Sequence, residues 1–104
     1  MDLTEKLNKV VERLKSYGPE KVILFGSAAR GQAKEGSDLD FFVIKNTQKT
    51  LPERLEEVDG LFLERNTPLD FLVYTPQEVE KRLALGDSFV TDIIQNGKLL
   101  YVKQ

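Results

Sequence analysis

Two apolar runs separated by a glycine-serine turn and closed by an Asp-x-Asp pair constrain this chain most. The stretch from Val22 to Ile44 reads VILFGSAARGQAKEGSDLDFFVI. Lys21–Phe25 predicts a short buried strand, Ser27–Arg30 a helical turn, and residues 31–36 a loop. Asp38–Ile44 predicts a second strand. Side chains alternate across a strand, so Asp38 and Asp40 share a face, with Cβ atoms roughly 6.5–7 Å apart. Their flexible ends can converge on one cation. Lysine is a common guard of strand edges; a paired aspartate points instead to a metal site beside an anion site. Beyond Asp40 the second strand is apolar on both faces, which predicts a central place in a sheet.

The rest of the chain supplies helices to cover that sheet. Leu3, Leu7, Val10, Val11 and Leu14 recur at helical spacing, so residues 3–17 predict an amphipathic helix capped by Asp2 or Thr4 and ended by Gly18-Pro19. Residues 52–65 carry Leu55, Val58, Leu61 and Phe62 at similar spacing, interrupted by Gly60. Leu69–Tyr74 predicts a third strand. Thr75 and Pro76 suit the cap and first turn of a helix over 77–85. A further helix over 88–95, a turn at Asn96-Gly97 and an edge strand Leu99–Val102 complete the chain. At 104 residues, without repeats or linkers, residues 1–104 are expected to form one domain of α/β (α+β) class, a sheet flanked by helices.

Composition removes several chemistries at once. The chain has no cysteine and no histidine, which excludes disulfides, thiol nucleophiles, the usual zinc sites and a histidine general base. A bound metal would be a hard cation held by oxygen: magnesium, manganese or calcium. No signal peptide or membrane span is apparent, so a cytoplasmic protein is expected. The net charge of −2 argues against direct nucleic-acid binding as the main role.

The candidate site residues follow from the same reasoning. Gly26 and Gly31 stand five apart, like the opening of a P-loop, but Gln32 and Ala33 occupy the places of its Lys and Ser/Thr. What remains is a glycine that permits close backbone approach and Ser27 opening a turn, an arrangement that can present N–H groups and a hydroxyl to an anion. Alone, it reads more readily as a strand-to-helix turn capped by Ser27. Asp70 stands in an otherwise apolar strand, where a carboxylate is costly unless compensated. If that strand neighbours the Asp38–Ile44 strand, a spacing of about 4.8 Å brings Asp70 beside the pair. Three such carboxylates repel one another by several kcal/mol, and a divalent ion reverses that balance. Arg30 suits a phosphate fork or a loop-fixing salt bridge. Ser37 reads as a turn or strand-entry residue, Lys34 and Glu35 as loop solvation. Phe25, Phe41, Phe42 and Phe71 read as core. Tyr74 is a weaker candidate for contact with a nucleotide.

Gly26-Ser27-Ala28-Ala29-Arg30-Gly31, then Ser37-Asp38-Leu39-Asp40, then Asp70 in a later strand resemble the polymerase-β-like nucleotidyltransferases. More narrowly, they are similar to the minimal nucleotidyltransferases, with their Gly-Ser-x-x-Arg-Gly and Ser-Asp-x-Asp patterns. Asn96-Gly97-Lys98-Leu99-Leu100-Tyr101 resembles the family's closing strand. The resemblance spans essentially the whole chain, and no motif position departs from it. It implies a small mixed sheet and transfer of a nucleoside monophosphate, foremost AMP from ATP, to an acceptor hydroxyl. Asp38, Asp40 and Asp70 would hold Mg2+ in a two-metal site, and Gly26, Ser27 and Arg30 would bind nucleotide. It further implies a toxin–antitoxin pairing with a HEPN-domain protein, the chain acting as antitoxin by modifying its partner, and a possible homo-oligomer. The competing reading is a module that binds nucleotide or partner and neutralises a toxin by contact. Small-molecule nucleotidylation would ordinarily call for a second substrate domain.

Overall fold

The computed structural model describes residues 2–32, 38–63 and 68–104. Its order is α1 (Leu3–Lys15), β1 (Lys21–Phe25), β2 (Leu39–Ile44), α2 (Leu51–Asp59), a 3-10 turn (Gly60–Phe62), β3 (Leu69–Tyr74), α3 (Pro76–Ala84), α4 (Ser88–Asn96) and β4 (Lys98–Val102). The strands form one mixed sheet in the order β3-β2-β1-β4. β1 pairs antiparallel with β2 and β4, whereas β2 and β3 run parallel. The α+β class and the central place of the Asp40 strand are thus as expected. Among the described residues, no helix is long and apolar enough to cross a membrane.

Local chemistry explains the boundaries. Asp2 starts α1, its Oδ1 accepting from Glu5 N at 2.9 Å. Leu7, Val10 and Leu14 of that helix are buried, one stripe at helical spacing. Thr50 with Glu53, and Thr75 with Glu78, form capping boxes, each with proline in the first turn of α2 and α3. Asp87 caps α4 through Phe89 N and Val90 N. The second long helix is shorter than its pattern suggests. α2 stops at Asp59 and gives way to the 3-10 turn at Gly60, while residues 64–65 of the expected helix lie outside the described residues.

The alternation of the strands divides the core between two faces. Val22, Leu24, Phe41, Val43, Phe71 and Val73 pack with α1 and α2. Ile23, Phe42 and Ile44 pack with Val79, Val90 and Ile93 from α3 and α4. α2 also fastens the outer edge of β3. Arg54 is 7% exposed; its Nη1 donates to Val73 O at 3.1 Å and its Nε to Lys49 O at 2.8 Å. Its guanidinium also grips both carboxylate oxygens of Glu78, at 2.7 and 3.3 Å. Glu78 Oε1 accepts from Thr75 N as well, so the cap of α3 and the edge of β3 share one cation. That arginine holds its carboxyl below the usual range.

Candidate active site

Two of the expected acids, Asp40 and Asp70, meet at one end of the sheet, and Asp38 lies just before it. Asp40 is in register with Asp70 on β3 and with Phe25 on β1. Aligned residues of neighbouring strands point to the same face, and parallel strands lie about 4.8 Å apart. A row therefore crosses the strand ends as Asp70, Asp40, Phe25, on the face that α3 and α4 cover further along. Asp38 is exposed just before β2, and Asp70 is exposed within β3. Ser37, Lys34 and Glu35 lie outside the described residues, as does most of the 31–36 loop.

Asp40 is the electrostatic centre of this end. Its half-burial pushes its carboxyl above the usual range, and the charges of Asp70 and Asp38 push the same way. A carboxyl penalised for being charged by burial and by two like charges is what a cation would relieve. The donor set fits a hard cation: every candidate atom is a carboxylate oxygen. Among the described residues, however, no three acidic side chains are gathered into a ready-made metal cage. The built-in part is the Asp40–Asp70 pairing, with Asp38 two residues away on the same strand path.

Gly26 is fitted to Asp40. It adopts φ +77° immediately after β1, a conformation that favours glycine, and a Cβ there would collide with Asp40 Oδ2. The turn that follows is hydrogen-bonded: Ser27 O accepts from Arg30 N at 3.2 Å and Gln32 N at 2.9 Å, and Ala28 O from Gly31 N at 3.2 Å. These bonds fix the turn that carries Ser27 and Arg30 on from Gly26. Arg30 is exposed, and its Nε lies 3.5 Å from Gln32 Oε1, too long to fix the side chain. Gly26 and Arg30 line a cleft of about 310 Å³ whose opposite wall is α4, through Asp92 and Asn96.

Two expectations about aromatic residues change. Phe41, Phe42 and Phe71 are buried as expected, but Phe25 is only half-buried and lines the cleft. Tyr74 aligns with Ile44 at the far end of its strand and packs on Phe42. Four residues from Asp70 along β3, it stands about 13 Å away. α4 carries no site motif in its sequence, yet it lines the cleft. Phe89, Asp92 and Asn96 are spaced by three and four, so the helical period alone aligns them.

The model of the family described as nucleotidyltransferase domain matches residues 5–103. No curated protein matches the chain. Among solved structures, a protein described as a nucleotidyltransferase from Sulfolobus solfataricus is similar at 22% identity and TM-score 0.63, over 94% of this chain and 79% of that one. A protein described as a minimal nucleotidyltransferase has 24% identity and TM-score 0.61, over 96% and 97%. A toxin–antitoxin structure with AMP-PNP has 19% identity and TM-score 0.59, over 94% and 74%. At these identities the structures speak for the fold.

Proposed function

The chain belongs to the nucleotidyltransferase-domain family, and on that premise we propose that it transfers AMP from ATP to a hydroxyl of a partner protein. The observation that carries this reading is the alignment of Asp40 with Asp70, with Gly26 pressed against Asp40. Paired acids on neighbouring strands, Asp40 half-buried among them, serve no packing purpose.

In the proposed reaction the acceptor oxygen bonds to the α-phosphorus while the bond from that phosphorus to the bridging α–β oxygen breaks. Pyrophosphate leaves with the bond's electron pair, and the acceptor's proton passes to Asp70. Asp38, Asp40 and Asp70 would hold magnesium, which when bound neutralises charge on the triphosphate and on the carboxylates. Gly26 leaves the backbone open to the phosphates, and Ser27 offers a hydroxyl. Arg30 offsets charge on the departing pyrophosphate. Positioning and electrostatics suffice for such a transfer, so the absence of histidine is no obstacle.

The partner is assigned as a HEPN-domain toxin, with this chain as the antitoxin. That assignment draws on the motif resemblance and on the shared fold with a toxin–antitoxin structure that holds AMP-PNP. Intact-mass spectrometry after incubation with ATP, magnesium and the candidate partner tests the whole reading. An AMP increment on the partner, absent with Asp38→Ala/Asp40→Ala, is the expected result. An unmodified partner that the wild-type chain still binds and inhibits would favour neutralisation by contact.

A further inference from the structure

An in-line displacement gives the two ends of the acidic row different work. The attacking and leaving oxygens stand on opposite sides of the phosphorus. The row runs Asp70, Asp40, Phe25 across β3, β2 and β1, and the departing pyrophosphate is assigned to the turn from Gly26 to Arg30, at the β1 end. The acceptor hydroxyl then approaches over β3, from the Asp70 end. What stands beside Asp70 decides which acceptors can reach it.

α3 supplies that neighbour. It follows β3 after the single residue Thr75 and packs Val79 with Phe42 and Ile44, on the face that carries Asp40. Its nine residues span about 13.5 Å. The path from Tyr74 back to Asp70 is about 13 Å, so the C-terminal end of α3 is level with the acids. Phe89, four residues past Leu85, meets Phe25 with ring centroids 5.7 Å apart, which fixes the corner between α3 and α4 at that same end. The corner is hydrogen-bonded: Gly86 N donates to Leu83 O at 3.1 Å and Asp87 N to Arg82 O at 3.0 Å.

This corner exposes apolar surface. Leu85 is 70% exposed and Phe89 50% exposed, with Leu83 also exposed. Apolar side chains gathered at one rigid place mark a contact surface, where singly scattered ones do not. The last turn of α3 adds Lys81 and Arg82, and Arg82 is only loosely tied to Asp87, at 3.7 Å. An apolar corner with a cationic rim suits an acceptor that brings apolar and acidic groups together.

We infer that the corner formed by Leu83, Leu85 and Phe89 docks the acceptor segment of the partner protein, and that this segment carries an apolar side chain and a carboxylate close to the hydroxyl that receives AMP. The apolar side chain covers Leu85, and the carboxylate pairs with Lys81 or Arg82. The inference rests on the proposed AMP transfer and adds acceptor-binding residues that the Gly-Ser and Asp-x-Asp motifs do not contain.

The test is steady-state AMP transfer from ATP in magnesium to the candidate HEPN-domain partner, by the full chain as wild type, Leu85→Glu and Leu51→Glu. Leu51 is exposed too, but it opens α2, beyond the end of β2 remote from Asp40. Calorimetric binding of AMP-PNP, light scattering and circular dichroism accompany each protein. Leu85→Glu should raise the KM for the partner about tenfold, the scale of burying one leucine side chain. Its kcat at saturating partner and its AMP-PNP affinity should match wild type, and Leu51→Glu should leave all three unchanged. An unchanged partner KM in Leu85→Glu would overturn the docking inference and leave the AMP-transfer reading standing. Equal rises in both variants would overturn it as well, as an effect of added charge anywhere. So would weaker AMP-PNP binding by Leu85→Glu, which would give the corner to the nucleotide. A wild-type dimer that Leu85→Glu splits would give it to a second copy. Wild type that transfers no AMP to the partner would overturn the transfer reading itself, and the inference with it.

Discussion

Asp40 carries opposing demands. Burial, then Asp70, then Asp38 make its carboxyl hold a proton more tightly than its ordinary value of 3.8 implies. The folded chain therefore binds that proton better than the unfolded chain does. By linkage, this group's contribution falls as pH rises from about 3.8 through the raised value, and the penalty is complete above it. Asp40→Asn is accordingly expected to melt higher than wild type at pH 7 in a chelating buffer. The difference should shrink as pH falls through that window and vanish below it. Melting curves for both proteins across pH 3–8 would reveal the trend, and a gap independent of pH would contradict it. The same variant should bind nucleotide in magnesium more weakly, separating the residue's cost to the fold from its use.

Among the elements, β3 depends most on help from outside the sheet. It pairs with β2 on one side only, and Arg54 of α2 serves its other edge through Val73 O. Arg54→Ala strands that carbonyl and Lys49 O and removes a buried cation, with an expected loss of about 3 kcal/mol. The Glu78 side chain is 46% exposed, so Glu78→Gln should cost less than about 1 kcal/mol. Urea midpoints for the two variants would check the order, and comparable losses would refute it. Arg54 also marks where sequence reading runs out. The strands, the caps at Asp2 and Thr75, and the Asp-x-Asp face all follow from local spacing. A charged residue on an amphipathic helix reads locally as solvated, and only the fold brings Val73 and Glu78 to it. The cleft was hidden for the same reason: Phe25 and Asp92 are far apart in sequence, and it takes α4 packed over the sheet to join them.

For the whole molecule, the acidic centre depends on a long connection. Asp40 and Asp70 meet only because α2 and the following turn carry the chain across to a parallel neighbour. Parallel pairing forms slowly and rewards the chain late. The other strand pairs, β1 with β2 and with β4, do not require β3. An edge element of this kind can open while the rest stays folded. Heating should therefore abolish the proposed AMP transfer several degrees before far-ultraviolet dichroism reports melting, with β3 amides exchanging faster than those of β1. Coincident loss of activity and structure would count against that. On that expectation the parallel pair would act as a thermal fuse, the proposed chemistry switching off before the rest of the molecule unfolds.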